Sequence, residues 1–189
     1  MRSAIALACL LLAIAIASAA GRLATAPPGD TGVVEILSGV DYIPTRGALD
    51  AELGAGAADR LIAIARGTAE ESADAGVRIR AYRALALYPG TATEDALRAS
   101  IIEHAGGGAI DTLYLRAAAE SLVQIAGADA VDDLVPLLDH QSRDVRASTA
   151  RALGDTGSDA AVSPLRARLS IEEVGQVRLA IAEALRELE

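Results

Sequence analysis

No lysine, asparagine, phenylalanine or tryptophan occurs in this sequence, and it holds a single cysteine and two histidines. Each absence excludes something. Without asparagine there is no acceptor for N-linked glycosylation. Lysine, asparagine and phenylalanine share AT-rich codons, so their joint absence beside abundant alanine, glycine and arginine points to a GC-rich bacterial genome. The lone cysteine, Cys9, lies in an N-terminal apolar run, which leaves everything after that run without a disulfide partner. With two histidines, the chain lacks the repeated histidine pairs from which some metal sites are built. The formal net charge of −9 at pH 7 and a pI near 4.7 remove the basic stripe that phosphate neutralisation needs, so nucleic acid is a poor partner.

Residues 1–20 have the layout of an export signal peptide. Arg2 precedes an apolar run from Ala4 to Ala17, and Ala17-Ser18-Ala19 supplies small residues for cleavage near Ala19 or Ala20. That run falls short of the roughly 20 residues a helix needs to cross a bilayer. The expected product is an exported chain, periplasmic or secreted, with no membrane association after cleavage and one positive charge fewer. Cys9 comes after too few apolar residues to be a lipoprotein attachment site and reads as part of the leader. Residues 21–43 form a linker or N-terminal extension: Pro27-Pro28-Gly29-Asp30 reads as linker, and Val33, Val34, Ile36 and Leu37 as an extended segment or a cover for the first repeat. The remaining residues can bury a substantial core.

That core is periodic. Leu85, Leu122, Leu153 and Leu185 stand 37, 31 and 32 residues apart, and three positions before them come Tyr82, Ala119, Ala150 and Ala182, mostly small residues where helices can approach closely. A second stripe repeats Leu97, Leu134 and Leu165, with Ile101, Leu138 and Leu169 one turn later on the same face. Two stripes per unit predict an α-hairpin repeat. Leu49 and Leu61 extend the pattern upstream. The spacing assigns a repeat domain at 44–189: a weak unit at 44–66, repeats at 75–105, 111–139 and 143–170, and a half repeat at 174–188. Gly90, Gly127 and Gly157 fall at the turns between paired helices, where positive φ is often needed. Asp129, Asp159 and Thr93 with Glu94 and Asp95 are placed to start second helices, and Pro136 should bend one of them.

Val145-Arg146, Ala150-Arg151-Ala152-Leu153-Gly154, Gly157 and Ala161-Val162-Ser163-Pro164-Leu165 resemble the HEAT-like repeat of phycobilisome-lyase-type proteins. The resemblance implies an all-α fold, a right-handed α-α superhelix or HEAT/armadillo-like solenoid of antiparallel helix pairs, whose members are mostly protein-binding scaffolds. A tetratricopeptide array would carry a steadier period and a Trp, Tyr and Phe pattern. Bilin-lyase chemistry fits poorly with an export signal and with a resemblance confined to the repeat.

Arg78, Arg146 and Arg178 align between repeats, with Arg116 one position out of register; the structural expectation is an arginine ladder bonding loops and helix ends, partly neutralised by Asp111 and Asp144. Glu103-His104 reverses the order of the His-Glu pairs of HEAT-like iron oxygenases and His140 is followed by Gln141, so both histidines read as solvated residues at helix ends. Gly106-Gly107-Gly108 lacks the strand and the Gly-Lys-Ser/Thr ending of a phosphate loop, and Ser121 and Ser148 have no histidine near them in the repeat. These patterns assign no catalytic residue, metal or cofactor. The candidate partner-binding residues are the charged positions of the second helices, an acidic centre with a basic flank: Glu94, Asp95, Arg98, Asp132, Asp133, Asp139, Arg166 and Arg168. The reading is an exported, non-enzymatic protein-interaction scaffold or adaptor. Its alternatives are a HEAT-scaffold enzyme, lyase or metal-dependent, and a structural envelope protein that self-associates through its C-terminal helix.

Overall fold

The computed structural model describes residues 31–38 and 44–189. The expected leader with its cleavage site and the Pro27-Pro28-Gly29-Asp30 stretch lie outside the described residues. All regular structure within them is helical: α1 (Thr31–Ser38), α2 (Arg46–Leu53), α3 (Ala57–Ala65), α4 (Ala75–Leu85), α5 (Thr91–His104), α6 (Ala109–Ala126), α7 (Val131–Leu134), α8 (Arg143–Asp155), α9 (Val162–Ile171) and α10 (Gly175–Leu188). This is the all-α helical-repeat fold that the two leucine stripes require. The first helices α4, α6, α8 and α10 pack in succession to form one layer, while α3, α5 and α9 and the broken segment 127–139 form the other. Leu85, Leu122, Leu153 and Leu185 are buried in the first layer; Leu61, Leu97, Leu134 and Leu165 are fully buried in the second. One continuous core runs through both layers. Within 21–43, Val33 and Leu37 belong to a helix and join that core, so residues 31–38 cover the first repeat and are not extended.

Local chemistry corrects three expected helix starts. Thr45 and Asp74 cap α2 and α4 by accepting from Ala48 N–H at 3.2 Å and Val77 N–H at 3.0 Å. Thr93, Asp129 and Asp159 cap nothing. α5 starts two residues before Thr93, directly after Gly90, and buries Thr93 in its first turn. The second helices of the next two repeats open with 3-10 turns, Gly127–Ala130 and Asp159–Ala161. Their i to i+3 bonds satisfy amides that a capping carboxylate would otherwise take. In the later turn Ser158, one residue before Asp159, supplies the side-chain oxygen. Gly127 and Gly157 sit at φ 53° and 62°, in the left-handed region that side chains with a Cβ avoid.

Pro136 does more than bend its helix. The α-helical part is only Val131–Leu134, and residues Val135–Asp139 wind on as a 3-10 segment. Proline lacks the N–H for an i to i−4 bond, and its ring crowds the carbonyl of Asp132, so the α-helix cannot pass through.

Helices α8 and α10 approach tightly at Gly154, where a Cβ would stand 2.9 Å from the Ala184 Cα of α10. Glycine inside a helix ordinarily costs about 0.5–1 kcal/mol relative to alanine, so Gly154→Ala should stabilise the chain if packing were neutral. The expected outcome is the reverse, a loss of about 1–3 kcal/mol from overpacking. A lowered urea midpoint at unchanged slope would show it; a raised midpoint would mean that α8 and α10 are not in close contact.

Candidate functional site

The charged residues divide into those that hold repeats together and those left over. At the first junction Arg78 Nε donates to Ala65 O at 3.0 Å, the last residue of α3, and its guanidinium lies 4.1 Å from the Tyr114 ring centroid. Arg146 donates to His140 O and Gln141 O at 2.9 and 3.1 Å, just past the end of the broken second helix. Arg178 donates to Leu169 O and Glu172 O at 3.0 and 2.9 Å, at the end of α9. Each arginine thus reaches the carbonyl end of the second helix before it, where orphan acceptors and the helix dipole both favour a cation. This is the ladder that the register predicts.

The second repeat breaks the ladder, since its register position is the fully buried Leu115. The missing donor comes from His140, whose Nε2 lies 2.8 Å from Ala105 O at the end of α5. Its Nδ1 accepts from Ser142 N–H at 3.0 Å, which leaves the proton on Nε2 for the Ala105 bond. His140 is therefore half-buried and engaged, not solvated. His104 is also corrected: it is 5% exposed, its Nδ1 is 2.8 Å from Asp111 Oδ1 and its Nε2 is 3.2 Å from Tyr82 Oη. Tyr114 packs against both rings. Ser121 Oγ closes the cluster by donating to Tyr82 O at 2.9 Å. Asp111 accepts from Gly108 N–H as well, and the His104 bond first, then this amide, hold its carboxyl below the usual range. The cluster clamps α5 to α6 across the triple-glycine turn. Burial pushes the Tyr82 phenol up from its ordinary value, which suits a neutral donor to His104 and not an ionised group. Among the described residues, no group of three or more His, Cys, Asp or Glu is placed to hold a metal ion.

Of the two carboxylates expected to neutralise the ladder, Asp111, bonded first to His104, also feels the charge of Arg78, whereas Asp144 lies 3.8 Å from Arg143 and meets no ladder arginine. The counter-ion is Glu172, 3% exposed, which takes Arg146 in a two-point grip at 2.8 and 3.0 Å and Arg168 at 2.7 and 3.0 Å. No sequence pattern marks it, because Glu172 is 26 residues from Arg146 and lies in a turn between repeats.

The eight candidate partner-binding residues fall into separate groups. Glu94, Arg98 and Asp133 form one ion-paired set across successive second helices, with Arg98 donating at 3.1 Å to Glu94 and 2.9 Å to Asp133. Arg168 joins Asp139 at 2.9 Å to the Glu172 node, and Arg166 reaches Glu189. Asp95 and Asp132 are exposed and have no polar partner among the described residues. They lie 37 residues apart, at equivalent positions of α5 and α7. The C-terminal helix turns Val177, Ile181 and Leu185 inward onto α8 and leaves Leu179 exposed, as is Ile171 before it. No helix among the described residues is long and apolar enough to cross a membrane.

The Arg146 pair, helped by the Val174 amide and Arg168 and opposed by burial, draws the Glu172 carboxyl down from 4.5 to about 2. The folded form therefore binds its proton less readily than the unfolded chain. The pair's contribution is complete above about 4.5 and fades as pH falls toward about 2. Glu172→Gln should cost about 3 kcal/mol at neutral pH, since it leaves Arg146 buried without its charge partner. It should also flatten the acid limb of the stability profile, measured by urea unfolding at a series of pH values. An unchanged acid limb would mean that Glu172 is not paired in solution.

Comparison with protein families matches residues 111–186, from the start of α6 into the last turn of α10, to HEAT repeats. No curated protein matches the chain. The matched span holds Leu122, Leu134, Leu153, Leu165 and Leu185, the ladder arginines Arg146 and Arg178 and the Glu172 node, and over it the chain is similar to HEAT repeats.

Proposed function

We propose that this HEAT-like array is an exported, non-enzymatic scaffold that binds a protein partner through the second-helix layer. The observation that carries the reading is the pair Asp95 and Asp132. Glu94, Arg98, Asp133, Asp139, Arg166 and Arg168 are consumed in ion pairs, whereas these two carboxylates, like Asp59 at the equivalent position of α3, are exposed with no polar partner among the described residues. A partner spanning two repeats would meet the same negative group twice, at a spacing set by helix packing. Both histidines are tied into interhelical bonds, which supports a structural use for them over an enzymatic one. The export half of the proposal rests on Arg2, the apolar run and Ala17-Ser18-Ala19.

Self-association is a second mode, supported by exposed Leu179 and Ile171 at the C-terminal end. It predicts mass growth with concentration in light scattering.

Asp95→Arg with Asp132→Arg should weaken retention of the native partner about tenfold or more while leaving the melting temperature unchanged, because exposed unpaired charges act on association more than on folding. Unaltered retention would remove the acidic pair from the interface. Intact mass of the protein recovered from its own cells should show the chain shortened at Ala19 or Ala20; a full-length mass would contradict export by cleavage.

A further inference from the structure

The first-helix layer holds a groove of about 540 Å³ between α6 and α8, bounded by Arg116, Glu120, Gln124, Ser148, Arg151 and Asp155. Arg116 is the arginine that misses the ladder by one position. That shift turns it from the helix end into this groove, where its Nε is buried with no acceptor among the described residues. Its other guanidinium nitrogens form no bond there either, and across the groove Arg151 is exposed and likewise unpaired among the described residues. The neighbouring arginines differ: Arg98, Arg146, Arg168 and Arg178 each satisfy two or more acceptors. A buried guanidinium N–H without an acceptor is costly, and an incoming carboxylate would supply the missing oxygen in the fork geometry that arginine favours.

The groove does not suit a dense polyanion. Each arginine is followed one turn later by an acid, Glu120 after Arg116 and Asp155 after Arg151. Glu120 is partly occupied by Arg83 at 3.9 Å, whereas Asp155 has no partner among the described residues. A phosphate chain would meet these carboxylates; a segment carrying one acid and one base would match all four groups. We propose that this groove binds a mixed-charge peptide segment of a protein partner, its carboxylate held by Arg116 and Arg151 and its cationic side chain placed against Asp155. The proposal rests on the scaffold reading and adds to it a second contact surface, on the opposite helix layer from Asp95 and Asp132.

The test is a titration of the full chain, followed by NMR at the arginine Nε–Hε signals. The probes are capped peptides with a glutamate and an arginine separated by one to four alanines, the same peptides with glutamine in place of glutamate, and inorganic phosphate. At least one glutamate peptide should shift the Arg116 signal saturably, binding at least tenfold more tightly than its glutamine counterpart. Arg151→Gln, at an exposed site where folding is not at stake, should weaken that binding by a similar factor, and Asp155→Asn should weaken it too. No shift with any glutamate peptide, or equal binding of glutamine peptides or phosphate, overturns the groove. The two readings can fail separately. A chain that captures its native partner but binds no peptide loses only the groove, and one that binds peptide but captures no protein loses only the scaffold.

Discussion

Stacking helix pairs end to end leaves a recurring electrostatic problem: every second helix finishes with unpaired carbonyls pointed into the junction with the next repeat. Those acceptors cannot be left dry, because a buried carbonyl without a donor costs about as much as several favourable contacts return. This chain solves the problem with a donor from the following helix. Arg78, Arg146 and Arg178 each bond the preceding helix end, and His140 bonds Ala105 O where the ladder carries Leu115 instead. The leucine stripes supply the burial, but these donors set how one unit sits on the next.

A charged ladder in a buried junction needs counter-charge, and its source differs along the array. Arg78 is satisfied by a carbonyl and the face of Tyr114. Arg146 sits deeper and requires Glu172, which also gathers Arg168 and, through it, Asp139. Much of the second-helix charge is therefore structural, linking repeats in the layer whose α-helix breaks at Pro136. Among the charges that the junctions do not consume are the equivalent carboxylates Asp95 and Asp132 on one layer and the unsatisfied Arg116 and Arg151 on the other.

Most of the architecture was legible in the sequence because it depends on spacing. The 31- to 37-residue recurrence of the leucines located the helix pairs, the alignment of three arginines foretold the ladder, and Pro136 marked the break. Details set by three-dimensional proximity were not legible. Tyr82 stood out only as a large residue at a small-residue position, yet that size lets it span to His104 on the next helix. Nothing near Glu172 in the chain pointed to Arg146. The capping assignments at Asp129 and Asp159 failed because a 3-10 opening satisfies its own amides, a choice that depends on turn geometry more than on which side chain is available. Charge counting on the second helices likewise could not separate paired from unpaired groups, since pairing is decided by which helices stack.

In the proposed function, surface charge that the junctions leave unspent recruits a protein partner. Without lysine, amine crosslinkers can reach the chain only at its N-terminus, while the unpaired carboxylates are open to acid-reactive reagents. The decisive measurement is carboxylate-directed crosslinking and mass spectrometry on the native protein in the envelope fraction of its own organism. Reproducible links from Asp95 or Asp132 to one heterologous protein are the expected result. Links confined to copies of the chain through residues 175–188, or none at all with metal or pigment retained on the purified protein, would contradict it.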